Sequence, residues 1–189
     1  MGQPKLLLPW GPQTILGHLL DQWRRVGAGQ IAVVVAPGQV ALAAELDRLA
    51  FPVSHRIANP QPALGMFSSI QCAARWTGWQ PSITHIAMAL GDQPHLRDDT
   101  LRALVDWSRS QPDRICQPFF HSKTRHPILF PRPRFLELAL AVEDRLSRFL
   151  KNRSDVLSSC EIEDSGLDFD IDRPEDYEKA ARLYLSWNL

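Results

Sequence analysis

The chain has 189 residues, the usual size of one domain and enough to bury a single hydrophobic core. Lysine plus arginine number 21, as do aspartate plus glutamate, and this zero net charge argues against a broad electrostatic surface for nucleic acid or a membrane. The apolar runs are too short to span a bilayer, and three widely spaced cysteines fit neither a disulfide framework nor a zinc site. The composition therefore predicts one globular domain over residues 1–189, located in the cytoplasm.

Apolar periodicity predicts alternating helices and strands along the chain. Thr14 is the predicted N-cap of the first helix, Gly27 its end, and Asp98 the N-cap of a later helix. The predicted helices are 15–26, 40–50, 66–76, 98–107, 135–150 and 174–184, and the predicted strands are 31–36, 53–58, 84–90, 114–119, 127–130 and 159–163. This order favours an α/β sheet with helices on both faces, and the closely spaced later strands indicate added antiparallel pairing. The chain begins with a loop and a helix, without the strand that such sheets usually place first.

Asp92 is the strongest single candidate for chemistry. It follows the buried apolar strand 84–90, which would hold its carboxylate at the carboxyl edge of the sheet, where α/β folds bind ligands. The alternative is an ordinary turn aspartate in the segment Gly-Asp-Gln-Pro at residues 91–94.

Three further carboxylates lie near the other end of the chain. Asp168, Asp170 and Asp172 occupy alternate positions, so a strand would place all three on one face. Such crowding raises carboxylate pKa values, and a divalent cation with oxygen ligands, foremost Mg²⁺, would relieve it. Asp172 also has capping-box spacing to Glu175 before the last helix. We therefore predict Asp170 as a metal ligand, Asp172 as a cap with a secondary place in the metal site, and Asp168 as solvated.

Two other segments suit phosphate or sugar groups. Lys5 lies in an extended Gln-Pro-Lys segment, from which its ammonium could reach a phosphate, although most lysines are simply solvated. Residues 59–60 form a turn, and residues 65–69 begin a helix whose free amides and hydroxyls suit an anion. An ordinary serine cap is the alternative for that helix start.

Five segments, taken together, resemble the molybdenum cofactor cytidylyltransferases, a branch of the MobA-like nucleotidyltransferases. They are residues 3–9 (QPKLLLP), 65–70 (GMFSSI), 91–94 (GDQP), 126–130 (HPILF) and 170–177 (DIDRPEDY), in the family's order. The resemblance implies a Rossmann-like three-layer α/β/α sandwich with a mostly parallel mixed sheet. It also implies Mg²⁺-dependent transfer of CMP from CTP to molybdopterin with loss of pyrophosphate, GTP being the alternative nucleotide. Enzymes of the xanthine dehydrogenase type would receive the product.

The resemblance also implies roles for individual residues. Lys5 and Asp92 would be catalytic, with Lys5 on the triphosphate and Asp92 holding the metal together with Asp170 and Asp172. The residues around the nucleotide would be Gln3, Lys5, Asn59, Gly65, Ser68 and Ser69. His126 would lie towards the pterin.

The chain departs from the family pattern in three places, one of which is Leu146, which replaces the glycine that usually precedes the arginine matched by Arg148. The family opens with a strand and a glycine-rich segment of the form LAAGxSxRMG, and Met1-Gly2 aligns with the last two residues of that segment. Ser122 and Arg125 stand where glycines are usual. One explanation is that the true start lies upstream, the other that the chain is a degenerate relative that binds the pterin cofactor or a partner enzyme without catalysis. We favour the first, because strands 31–36 and 84–90 would otherwise expose apolar edges.

Overall fold

The structure is a computed structural model and describes residues 4–187. Its helices are α1 (Ile15–Arg25), α2 (Val40–Arg48), α3 (Met66–Arg75), α4 (Asp98–Arg109), α5 (Arg132–Glu137), α6 (Leu146–Lys151) and α7 (Pro174–Trp187). Its strands are β1 (Pro9–Trp10), β2 (Gln13–Thr14), β3 (Val33–Val35), β4 (Arg56–Ala58), β5 (His85–Met88), β6 (Ile115–Phe120), β7 (Lys123–Thr124), β8 (Ile128–Pro131) and β9 (Leu157–Glu161). The alternation of helix and strand predicted from periodicity is confirmed.

Local sequence signals set the ends of α1 but not the start of α4. The Thr14 hydroxyl accepts a hydrogen bond from the Gly17 amide at 3.1 Å, so the predicted N-cap is confirmed. Gly27 follows α1 with φ +90°, a left-handed conformation that glycine adopts without strain. The predicted cap at Asp98 is wrong: this residue is the first of α4, and its carboxylate accepts hydrogen bonds from Arg25 and Gln22 instead.

The predicted long helix over residues 135–150 is broken into α5, a 3₁₀ turn (Leu138–Leu140) and α6. Side chains of α3 donate hydrogen bonds to backbone carbonyl groups at the break. The Gln71 amide donates to the carbonyl of Ala141 at 2.9 Å, and the Arg75 guanidinium donates to that of Ala139 at 3.0 Å. These contacts compensate for the lost intrahelical hydrogen bonds, because a helix end must satisfy its carbonyl groups elsewhere.

The strands form a mixed sheet in separate pieces. β3 and β4 pair in parallel, with Val33 opposite Arg56. In the larger piece β8 pairs antiparallel with β5 and β6, while β6 also pairs in parallel with β9 and antiparallel with β7. The antiparallel pairing predicted for the second half is thus confirmed. Among the described residues no strand joins β3 to β5, and an apolar cavity of about 520 Å³ lies between these two strands.

Helices cover both faces of this sheet. α3, α5 and α6 pack on one face of β5, β6 and β8, in a core that includes Phe130 and Phe149. α1 and α2 pack together against β3. α7 lies on the hairpin formed by β1 and β2, where Trp10 and Ala180 are buried in one cluster. Within residues 4–187, every helix is too short or too polar to cross a membrane.

Candidate functional site

Three segments that are far apart in the chain meet where β5 ends. Lys5, in a 3₁₀ turn (Lys5–Leu7), places its ammonium 2.8 Å from Oδ1 of Asp172 and 3.7 Å from Oδ2 of Asp92. The backbone amide of Ile171 donates to the carbonyl of Asp92 at 3.0 Å. The carboxyl edge of the sheet therefore holds one lysine among carboxylates, in the position where α/β folds bind ligands.

Asp92 is a carboxylate that lacks enough positive charge around it. Its side chain is 28% exposed, and its Oδ1 is buried without a hydrogen-bond partner in the described part of the chain. Burial and the nearby charge of Asp170 raise the pKa of Asp92, and Lys5 offsets only part of this effect. An orphaned, buried carboxylate oxygen fits a divalent cation, which would supply the missing charge.

Asp170 is oriented by a residue that the sequence analysis did not identify. Gln93 is buried, and its side-chain amide donates to Oδ1 of Asp170 at 2.9 Å. This bond ties the segment after the last 3₁₀ turn to the turn after β5. The signal that could have revealed Gln93 is its place beside Asp92 in the segment 91–94.

The predicted single face of three carboxylates is wrong. Residues 168–172 do not form a strand, so their carboxylates do not share one face. Asp168 instead ends a 3₁₀ helix (Ser165–Asp168) and contacts Arg125. Asp172 is bound to Lys5, and this hydrogen bond lowers the pKa of Asp172. Within residues 4–187 no three histidine, cysteine, aspartate or glutamate side chains are grouped to hold a metal ion. The arrangement fits two carboxylates, Asp92 and Asp170, with substrate phosphates as further ligands, which is a usual way to bind Mg²⁺.

The start of α7 is capped differently from the prediction. We expected Asp172 and Glu175 to form a capping box, but the carboxylate of Asp176 accepts hydrogen bonds from the amides of Asp172 and Arg173 at 3.2 and 2.9 Å. The Asp172 side chain is thereby left for Lys5. This helix start holds Asp172 beside the site.

Asn59 organises the loop between β4 and α3. It is 1% exposed, and its amide nitrogen donates to the hydroxyls of Ser68 at 2.8 Å and Ser69 at 2.9 Å. Its amide oxygen accepts from the backbone of Gln61 at 2.9 Å. The Ser68 hydroxyl in turn donates to the carbonyl of Gly65 at 2.8 Å. Asn59 and Ser68 are thus engaged within the loop, which they shape.

The exposed part of this loop is its backbone around Gly65. Gly65 has φ +83°, which favours glycine, and no atom lies near its missing side chain. Ser69 is half-buried and lines the same apolar cavity as Gly91, the residue before Asp92. Gln3, also predicted to bind the nucleotide, lies outside the described residues.

We predict that Asn59→Ala destabilises the chain and weakens nucleotide binding. It removes one buried and two partly buried hydrogen bonds and leaves their partners unsatisfied, at a cost of about 1–3 kcal/mol, which lowers Tm by several degrees. The matched control is Asn152→Ala, whose side chain makes an exposed hydrogen bond to Glu143. Thermal unfolding and nucleotide titration measure both effects, and an unchanged Tm in Asn59→Ala would contradict the role given to the loop.

His126 lies two residues before β8, close enough to Asp170 to feel its charge. Its imidazole is hydrogen-bonded to the carbonyl of Met88, and its buried Nδ1 has no partner among the described residues. Burial lowers the pKa of His126, an effect that the carboxylate of Asp170 partly offsets. His126 is therefore neutral at pH 7, and its place towards the pterin remains a prediction.

His95 is a second residue that the sequence analysis missed. It is fully buried, stacks on Phe169 with ring centroids 4.2 Å apart, and donates from Nε2 to the carbonyl of Gly166 at 2.9 Å. Burial lowers the pKa of His95 below its ordinary value. Because His95 contacts both Gly166 and Phe169, it holds in place the segment that precedes Asp170.

We predict that acid destabilises the chain partly through His95. The lowered pKa means that the unfolded state binds the proton first, so the stability that neutral His95 contributes is present above pH 6.5 and is lost as the pH falls below it. Tm measured between pH 7.5 and 5 should fall more steeply for the wild type than for His95→Gln. Equal slopes for the wild type and His95→Gln would refute this.

The chain belongs to the MobA-like NTP transferase domain family, whose family model matches residues 1–156. It is 27% identical over 186 residues to the molybdenum cofactor cytidylyltransferase of Escherichia coli strain K12, a match that covers 97% of the chain and 90% of that protein. It is also 35% identical over 102 residues to the bifunctional protein GlmU of Paracidovorax citrulli, which covers 54% of the chain but only 21% of GlmU.

A solved structure supports the fold. The Rv0371c protein of Mycobacterium tuberculosis H37Rv, in complex with manganese, superposes with a TM-score of 0.72 at 25% identity, over 96% of this chain and 93% of that one. The predicted Rossmann-like α/β fold is thereby confirmed. With the family match, these similarities make the chain a nucleotidyltransferase.

Proposed function

We propose that the chain transfers CMP from CTP to molybdopterin, with release of pyrophosphate and with Mg²⁺ as cofactor. The observation that carries this proposal is the convergence of Lys5, Asp92 and Asp170 at the carboxyl edge of the sheet. The choice of CTP and molybdopterin is supported by the likeness to the E. coli molybdenum cofactor cytidylyltransferase along almost the whole chain.

In this reaction an oxygen of the acceptor's terminal phosphate attacks the α-phosphorus of CTP. The bond from that phosphorus to the oxygen bridging it to the β-phosphate breaks, and pyrophosphate leaves with the bonding electrons. The protein's part is positioning and the neutralisation of negative charge. A divalent cation on Asp92 and Asp170 would supply charge at the phosphates. Manganese in the M. tuberculosis relative supports a divalent cation at this fold.

Lys5 serves the triphosphate as a fixed positive charge. Its hydrogen bond to Asp172 is the leading cause that raises the pKa of Lys5, so the ammonium stays protonated. Asp172 acts through Lys5 as a positioning residue. The loop around Asn59 and Gly65 then presents backbone amides to the nucleotide.

The proposed function also includes an acceptor site, a receiving enzyme and a cellular location. His126 would face the pterin, and molybdoenzymes of the xanthine dehydrogenase type would receive the finished cofactor. A cytoplasmic location fits the three free cysteines, which a reducing compartment preserves.

The test is thermal unfolding with CTP, GTP or ATP, each with and without Mg²⁺, followed by a pyrophosphate-release assay with molybdopterin. A ligand at 100 times its Kd stabilises by about 2.7 kcal/mol, which corresponds to roughly 5–10 °C in this size range. We expect that shift with CTP and Mg²⁺, and pyrophosphate only when molybdopterin is added. A shift with GTP instead would reassign the nucleotide. Binding of molybdopterin without any response to nucleotides would favour the non-catalytic alternative.

A further inference from the structure

The turn after β5 is tied to the segment before α7 at two successive positions. The carbonyl of Asp92 accepts a hydrogen bond from the backbone amide of Ile171 at 3.0 Å. At the next position, the side-chain amide of Gln93 donates to Oδ1 of Asp170 at 2.9 Å. The backbone contact brings the two segments together, and the Gln93 contact sets the direction of the Asp170 carboxylate.

Asp92 and Asp170 repel each other across this contact. The negative charge of Asp170 is one of the causes that raise the pKa of Asp92, and the ammonium of Lys5 offsets only part of it. Two like charges in a partly buried site are unfavourable unless a cation or a hydrogen-bond donor compensates them. Gln93 is such a donor and is neutral, so it holds Asp170 near Asp92 and leaves both negative charges for a cation.

Packing alone does not explain a glutamine at position 93. Gln93 is 5% exposed, and its Oε1 is buried without a hydrogen-bond partner in the part of the chain that the structure describes. The small cavity that it lines is bordered mainly by apolar side chains, among them Leu90, Leu96 and Leu101. An unpaired buried amide oxygen destabilises a fold, so an apolar side chain of similar size would suit this place better.

The orientation of the Gln93 amide is set by Asp170. If the amide turned over, its oxygen would face the carboxylate oxygen of Asp170, and both acceptors would lack a donor. The present orientation leaves Oε1 unpaired and satisfies Asp170 instead. The chain thus gives up a hydrogen bond in its interior and gains a fixed carboxylate at the site.

We propose that Gln93 is a positioning residue, whose side-chain amide fixes the Asp170 carboxylate so that Asp92 and Asp170 bind one divalent cation together. The proposal rests on the cation site of the proposed function. Gln93 acts through Asp170 and contacts neither the cation nor the substrate. Hydrogen-bond partners of metal-binding side chains commonly account for about 10- to 100-fold in metal affinity.

Gln22 provides a matched control, because it lines the same small cavity. It is 2% exposed, and its side-chain amide donates to the carbonyl of Leu96 at 2.7 Å and to the carboxylate of Asp98 at 3.1 Å. Gln22 is therefore also a buried glutamine bonded to an aspartate. Asp98, however, is paired with Arg25 and lies outside the proposed cation site.

The experiment titrates Mn²⁺ into the wild type, Gln93→Met and Gln22→Met without nucleotide, and electron paramagnetic resonance measures the free Mn²⁺. Tm is measured for the same proteins in EDTA. We expect Gln93→Met to raise the Kd for Mn²⁺ by about tenfold or more, with Tm unchanged or higher. Gln22→Met should lower Tm by several degrees and leave the Kd unchanged, because it removes two satisfied hydrogen bonds away from Asp170.

The pyrophosphate-release assay adds a second measurement that a purely structural role would not change. Gln93→Met should need about tenfold more cation for its half-maximal rate, while kcat at saturating cation returns close to the wild-type value. Gln22→Met should keep the wild-type dependence on cation concentration.

Two results would overturn the role of Gln93 alone. One is a Kd for Mn²⁺ in Gln93→Met equal to that of the wild type. The other is a fall in Tm of Gln93→Met as large as that of Gln22→Met, which would make Gln93 a structural residue. A wild type that binds no Mn²⁺ would overturn this role together with the proposed cation site. If Gln93→Met weakens Mn²⁺ binding but the wild type releases no pyrophosphate from CTP with molybdopterin, the role of Gln93 stands and the proposed reaction is wrong.

Discussion

Replacing Asp92 with asparagine should reduce nucleotide transfer by at least about 100-fold while leaving the chain folded. The substitution keeps the shape of the side chain and removes its negative charge, so Lys5 retains Asp172 as a partner while the proposed cation site would lose one of its two carboxylates. Asp106→Asn is the matched control, because Asp106 is an exposed aspartate of α4 paired with Arg109. Pyrophosphate release under saturating CTP and Mg²⁺ measures the effect. Activity within a few-fold of the wild type would remove Asp92 from the catalytic machinery.

The same variant should be at least as stable as the wild type at pH 7 when divalent cations are chelated. Burial and Asp170 raise the pKa of Asp92, so the folded state binds its proton more tightly than the unfolded state. Stability is therefore lost as the pH rises above the ordinary value of about 3.9, and asparagine avoids this loss. The Tm difference between Asp92→Asn and the wild type should shrink towards pH 3.5. A lower Tm for the variant at pH 7 would show that the contact with Lys5 outweighs the burial of the charge.

Leu138→Ala should destabilise the chain by about 2–5 kcal/mol, with a fall in Tm of roughly 5–15 °C. Leu138 is fully buried in the cluster of α3, α5, α6 and the sheet, and its truncation leaves a cavity. Leu140 lies two residues on in the same 3₁₀ turn and is 87% exposed. Leu140→Ala is therefore the matched control, with an expected change within about 0.5 kcal/mol.

Chemical denaturation followed by circular dichroism gives the free energy of unfolding for both variants. If both variants lost the same free energy of unfolding, Leu138 would be no more buried than Leu140, contrary to the structure.

The helices and strands could largely be predicted from the sequence because their signals are local. Thr14 and Gly27 flank α1 with a cap and a left-handed glycine, and both residues act within a few positions of themselves. Asp92 was identified for a related reason, since a polar residue directly after a buried strand lies at the carboxyl edge of the sheet. The prediction that Asp98 caps α4 was wrong because its carboxylate accepts a hydrogen bond from a distant residue, Arg25.

The composition of the site depends on contacts that no local pattern contains. Lys5 and Asp172 are 167 residues apart, and they meet because α7 packs on the first hairpin. Gln93 binds Asp170 across 77 residues, and His95 is placed against Phe169 by burial. The alternation of three aspartates predicted a common face. Residues 168–172 do not form a strand, however, and Asp168 contacts Arg125 instead.

The sequence by itself determined the class of fold and the order of helices and strands, and it made Asp92 and Asp170 candidates, since periodicity, caps and the ends of strands are short-range properties. Only the tertiary structure decided which charges neutralise one another, that Asn59 and Ser68 bind each other, and that a cavity separates β3 from β5. These outcomes depend on how strongly each polar group is desolvated and on which distant residue lies within hydrogen-bonding distance of it. Such properties arise when the layers pack, because burial and long-range hydrogen bonds are features of the assembled core.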